Sequence, residues 1–461
     1  MTDTTDAAIE TAPGRTPKNR AARAVQIAIA AIGASILAVT VAYGAVFWPR
    51  TPVDGPAGDV PIGWAPWAAN LRSSPADVTF AQMNAAMREK DRDKFLAQAT
   101  GQAAEQLALW WDNSMAMGWN VAAIAPTDLD LDENGNAEVV LGAQYVFAAH
   151  PERGSGDRDA GLQLIQGFTY TVTFEPGSDR GRSFDQYEQT DEPEAATILS
   201  VVPTYEPNPW DEGSIHVAMR DHVVLIGMSD EADLVERNAD VAEQSAVIAL
   251  DAIRALGGEP TQDGFVSAIT DDPERFSRWQ YGQGTPWDMD VAGYARPALR
   301  PNLPERFIDP QIATGTDTSG TLVVMGPLSA DSRESTFVHE FAHALHNTAA
   351  PGSFVAPPAA VMEGFARYVQ WESGVADRGY LRQEVKDAVA AGGTGAFSDE
   401  LLRSQDAGIA YDAAGSYYAY AASTGTSVWR LAIDAVIGGG FGVDSDDVVV
   451  SEWQAWVAAQ G

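Results

Sequence analysis

The sequence predicts an α+β protein in two unequal parts, set behind a single N-terminal transmembrane helix. Three observations predict it. An uncharged apolar run, Ala24 to Trp48, follows a basic leader. Two helix-like stretches then precede several strand-like runs, which end at a proline-rich joint. From Asp331 onward the apolar spacing is mostly helical, behind a few short strand candidates that make a small sheet.

The apolar run is long enough to cross a hydrocarbon core, and Tyr43 and Trp48 suit its interface. Arg15, Lys18, Arg20 and Arg23 precede it, whereas Arg50 is the one cation from there through Asp59. That asymmetry predicts a cytoplasmic tail (1–23), an anchor (24–48) and an extracytoplasmic remainder, which is a single-pass cell-membrane topology. A cleaved signal peptide is the rival, but its apolar region is normally shorter and no clear small-x-small cleavage site follows at the right depth. Residues 49–73 are rich in Pro, Gly and Ala and read as a stalk.

Residues 74–205 form the first folded part. Ser74-Pro75 reads as a capped helix start running through about Ala97, and a Trp-containing apolar stretch spans Gln102 to Trp119. Strand candidates cover Ala137–Ala148 and Leu162–Phe174, and Asp185–Glu194 reads as an acidic loop. Helices followed by a curved antiparallel sheet resemble the nuclear-transport-factor-2-like domains in element order. Asp130–Gly135 (DLDENG) matches half of a calcium loop, but position twelve would be Leu141, so a hairpin turn at Asn134-Gly135 is the better reading.

Pro203–Gly213 is the joint, and residues 210–461 form the second part. A strand over His222–Ile226 leads into a helix over Ser229–Leu256, and further strands are expected at Phe265–Ile269 and Thr321–Met325. The composition, 45% hydrophobic and 9% aromatic, suffices for packed cores in both parts. The net charge of -35 repels phosphate backbones, so nucleic acid is excluded as a partner. With no cysteine, disulfides, thiolate ligands and cysteine nucleophiles are excluded as well.

The chemistry is concentrated in STFVHEFAHALH, residues 335–346. On a helix, His339 and His343 stand one turn apart on one face and can share a metal ion. Glu340 sits beside that ion, placed to take a proton from bound water. A catalytic zinc also needs a third protein ligand. The metzincin pattern fails at His346 and Ala349. The aspzincin pattern fails because Gly315-Thr316-Asp317 precedes the motif.

A second segment, VMEGFARY at 361–368, follows a Pro357-Pro358 helix start, and 19 residues separate His343 from Glu363. HEFAH and EGFARY at that spacing resemble the gluzincin clan, which includes thermolysin-like enzymes and related zinc aminopeptidases. The nearest likeness is to its exported peptidase-MA-like members. The resemblance covers roughly Trp210 to Gly461. It implies a zincin-like metallopeptidase fold and one Zn²⁺ held by His339, His343 and Glu363, with Glu340 as general base. It also implies an oxyanion donor on a later helix, for which Tyr411 in IAYDAAGSYYAY (409–420) is the candidate. This chain departs from the pattern at Met362 and at Arg367, where thermolysin-like enzymes carry an Asp that orients a zinc histidine. His346, on nearly the same face as the ligands, reads either as a substrate-orienting group or as a helix C-terminal cap.

The expected function is that of a membrane-anchored extracytoplasmic zinc metallopeptidase, a hydrolase whose partner is a peptide or protein substrate. The Thr321–Met325 strand is expected at the cleft edge, where it would pair with an extended peptide. The alternative is a non-catalytic binding protein with a structural or relic zinc site.

Overall fold

The computed structural model describes residues 75–461, apart from the segments 127–130, 148–163, 179–193, 283–290, 299–319, 350–357 and 442–446 and a few isolated positions. The tail, anchor and stalk expected over residues 1–73 and most of the acidic loop expected over 185–194 lie outside the described residues. The expected architecture is corrected in one respect. Among the described residues no helix is long and apolar enough to cross a membrane. The physical reason is amphipathicity: the longest helix, α5 (Ala232–Ala255), exposes Glu236, Arg237 and Asp240.

The first part opens with α1 (Pro75–Glu89), α2 (Arg92–Leu96) and α3 (Gly101–Ala116). One helix is expected through Ala97, and two are found. The chain breaks at Lys90, which adopts φ 54°, and restarts at Asp91, whose carboxylate accepts the Lys94 N–H at 3.1 Å. Strands β1 (Val121–Pro126), β2 (Asn136–Tyr145), β3 (Leu164–Phe174) and β4 (Ile198–Pro203) then form an antiparallel sheet in sequential order. The β1–β2 turn contains Gly135 at φ 78°, and the Asp132 carboxylate accepts the N–H groups of Asn134 and Asn136 at 2.8 Å each. That carboxylate is occupied by its own turn, as a hairpin requires.

A short helix α4 (Pro209–Glu212) lies in the proline-rich joint and leads to β5 (Ile215–Met219) and β6 (Val223–Met228), followed by α5. After it come β7 (Phe265–Ile269), α6 (Pro273–Tyr281), β8 (Gly293–Pro297) and β9 (Thr321–Met325). The sheet order is β5-β6-β7-β9-β8, with β6, β7 and β9 parallel and the two outer strands antiparallel.

This second sheet is buried on both faces, which is why its three central strands are mostly apolar, with Ser267 and Thr321 as buried polar exceptions. Val223, Leu225, Phe265, Ile269, Val323 and Met325 join the core on the helical side. Their alternates Val224, Ile226, Val266, Ala268, Leu322 and Val324 share a core with Phe80, Trp110, Val139 and Tyr170 of the first part. The joint is tied down rather than loose. Trp210 is buried, and Asn113 donates to the carbonyls of Trp210 and Gly213 at 2.9 and 2.8 Å.

On the helical side lie α7 (Ala330–Ala349), α8 (Ala359–Glu372), α9 (Gln383–Gly392), α10 (Asp399–Leu402), α11 (Ala407–Ser423), α12 (Val428–Gly438) and α13 (Asp447–Ala459). Helix α7 is pinned to the sheet by Phe341, whose ring stacks on Phe265 at 4.1 Å, and by Phe337. Helix α8 runs antiparallel to it, so that Gln370 reaches Ser335 while Glu363 reaches His339 and His343.

Candidate metal centre

Each member of the site comes from a helix held by the core. Phe337, Val338, Phe341 and Ala342 are fully buried, which leaves the opposite face of α7 to present His339, Glu340 and His343. Glu363 reaches them because α8 lies close against α11. A Cβ at Gly364 would stand 2.8 Å from the Ala414 backbone carbon, so only glycine permits this approach.

His339 Nε2, His343 Nε2 and a Glu363 oxygen converge within 4.8 Å of one another. The two imidazole nitrogens are 3.1 Å apart, and the carboxylate oxygen lies 3.0 Å from His339 and 3.3 Å from His343. The tautomer of His339 follows from its neighbour Gln370. That amide donates through Nε2 to Ser335 O and Oγ, both at 2.8 Å, and its Oε1 accepts from Arg367 Nη1 at 3.0 Å. Gln370 Oε1 is therefore an acceptor, and the His339 nitrogen 3.3 Å away, Nδ1, must carry the proton. Nε2 is then the nitrogen left to face a second imidazole nitrogen and a carboxylate. One cation can satisfy three such atoms at these separations, and two imidazoles with a carboxylate are a donor set found at catalytic zinc.

The electrostatics fit that reading. Burial acts to raise the Glu363 carboxyl, but the facing His343 and His339 outweigh it and hold it well below the usual carboxylate range. Burial acts to lower His343, yet the Glu363 charge and hydrogen bond raise it above its ordinary value. Glu340 is buried, and burial pushes its carboxyl up against the pull of the two histidines. A carboxylate so raised is a better proton acceptor near neutrality.

The cluster opens into a cleft of about 550 Å³. Its helical walls carry Met362, Arg367 and Tyr411, and its other wall is β8 with the preceding Val291 and Ala292. Tyr411 lies in the cleft with its ring 6.4 Å from that of His339 and nearly parallel to it. Gly293 packs against Glu340, where a Cβ would approach its Cγ to 3.1 Å.

Three site expectations change. The Thr321–Met325 strand, β9, is not at the cleft edge; it is paired on both sides, by β7 and by β8. Strand β8 takes the outer place, because it can pair antiparallel with β9 while its glycine admits the Glu340 side chain. His346 neither faces the cleft nor caps its helix. It is fully buried against Phe365 and donates Nε2–H to the Ala432 carbonyl at 3.0 Å. Burial pushes it down to about 4, so it is neutral at physiological pH. Arg367 stands where an orienting acid is expected, and Gln370, one turn further along α8, orients His339 instead. Gln370 carries only a weak sequence signal, its place seven residues after Glu363 on one helical face. No family model matches the chain, and no curated protein matches it in sequence.

Proposed function

We propose that this chain is a zinc-dependent hydrolase of peptide bonds. The observation that carries the proposal is the convergence of His339 Nε2, His343 Nε2 and Glu363 around one point, with the His339 proton held on Nδ1 by Gln370 and the buried Glu340 beside it. A bound Zn²⁺ supplies a Lewis acid for the scissile carbonyl and a water of lowered pKa. Glu340 takes the proton from the attacking water and passes it to the leaving amine. Tyr411, whose ring lies beside that of His339 in the cleft, donates its phenol hydrogen to the developing oxyanion. Among the described residues β8 has no strand on its outer side, so an extended peptide can pair along Gly293–Pro297 with its carbonyl directed at the site.

The decisive variant is Glu340→Gln. It keeps shape and leaves the three ligands in place, so one zinc per chain is retained. Cleavage of an internally quenched peptide library falls by about 10²–10⁴-fold, the usual contribution of a positioned base. Cleavage at the parental rate by this variant sinks the proposal.

A further inference from the structure

The metal cluster accounts for Gln370, but not for the ion-paired group behind it. Asp412 is fully buried, next in the chain to Tyr411, and lies between two arginines. Its Oδ1 accepts from Arg367 Nε at 2.7 Å and its Oδ2 from Arg382 Nη2. The backbone of Gly379 closes over the carboxylate so tightly that a Cβ there would overlap it. A buried carboxylate is costly to desolvate, and a chain without use for it does as well with an apolar residue. Here the carboxylate has two consequences that an apolar residue could not supply.

The first runs toward the metal ligands. Arg367 is a planar fork. With Nε committed to Asp412, its Nη1 is directed at Gln370 Oε1, 3.0 Å away. The same Oε1 is the acceptor that fixes the His339 tautomer. The second runs toward Tyr411 on the helical wall. Asp412 belongs to α11, so clamping it between α8 and the Gly379–Arg382 turn fixes the rotation and height of α11. That in turn fixes where Tyr411 enters the cleft.

We infer that Asp412 is a positioning residue. Through Arg367 and Gln370 it holds His339 in its metal-ligating tautomer, and through its place on α11 it holds Tyr411 beside it. One buried charge thereby sets the spacing between the electrophilic side of the cleft and its oxyanion donor. The inference rests on the metal-site reading above, and it extends that reading to residues that touch neither metal nor substrate.

The test uses the full chain and reads zinc affinity by competition with a chromophoric chelator. Visible absorption of the cobalt(II)-loaded protein and thermal unfolding of the metal-free protein accompany it. Arg367→Lys keeps a cation against Asp412 but loses the fork that reaches Gln370, so it separates the relay from folding. Asp412→Asn removes the charge at constant shape. Gln370→Leu removes the acceptor itself and so reads the full contribution of the relay.

Expected are a 10–100-fold weaker zinc affinity and a shifted cobalt spectrum for Arg367→Lys and Asp412→Asn, the usual cost of losing an outer partner of a ligand histidine. Gln370→Leu weakens zinc affinity by about the same 10–100-fold. For Asp412→Asn, kcat falls further than KM changes, because Tyr411 is displaced as well. Parental zinc affinity in Arg367→Lys and Asp412→Asn overturns the inference, whatever their thermal stability. A parent chain that binds zinc without cleaving peptides overturns the proposed function and leaves the relay intact. A parent that binds no zinc overturns both.

Discussion

His346 offers a test of how the helix that carries the site is buried. The perturbation is His346→Gln, whose amide can reach the Ala432 carbonyl but cannot titrate. In the folded chain burial holds this imidazole down at about 4, against an ordinary value of 6.5. Between those two values the unfolded chain binds a proton that the folded chain refuses. The contribution is therefore absent at neutrality and grows as pH falls through 6.5 toward 4, where stability is lost. At pH 4.5 the linkage costs the parent about 2 kcal/mol relative to pH 7, an order-of-magnitude figure. The assay is urea unfolding of metal-free parent and variant at pH 7 and pH 4.5, compared as a double difference. Acid effects from Glu363 and Glu340 are common to both proteins and cancel in it, and the repulsion of His346 by His343 adds to the parent's loss. The parent should lose about 2 kcal/mol more than the variant on acidification. Equal losses would refute the burial argument, and a changed zinc stoichiometry in the variant would return His346 to the metal site.

Two further outcomes follow from the same geometry. Tyr411→Phe should bind zinc like the parent and lower kcat by about 10²–10³-fold with little change in KM, the usual cost of one oxyanion donor; single-substrate kinetics on the zinc-loaded protein check it. Phe341→Ala should destabilise the chain by about 3–5 kcal/mol in urea unfolding at neutral pH, because it deletes a fully buried ring stacked between Phe265 and Phe337.

The legible part of the site was the part encoded by local periodicity. His339, Glu340 and His343 are read from one helix, since residues one turn apart must share a face. Gln370 escaped notice because an amide on a helix has no signature until its partners are known, and those partners, Ser335 and Arg367, come from two different helices. Strand β8 escaped because five residues with glycine first and proline last show no alternation. It is a strand only by virtue of pairing with β9. The helix break at Lys90 was also invisible, for a lysine at φ 54° is a choice imposed by the packing on either side of it. The joint at Pro203–Gly213 looked like a boundary from its prolines. In the folded chain the sheet beyond it shares a core with the residues before it.

The amino-acid order alone determined the short-range facts: a chain of mixed helices and strands, the histidine pair with its neighbouring carboxylate, and a glutamate a helix away. These depend on spacing along one helix or across one turn, where geometry is set by backbone hydrogen bonding. Tertiary structure decided everything that depends on which distant surfaces meet. It put β8 rather than β9 at the cleft wall, buried His346, enlisted Gln370 and set Asp412 behind both Arg367 and Tyr411. The physical reason is that a side chain's chemistry is set by its partners, and in this site the partners come from α7, α8, α11 and a sheet edge that the linear sequence keeps far apart.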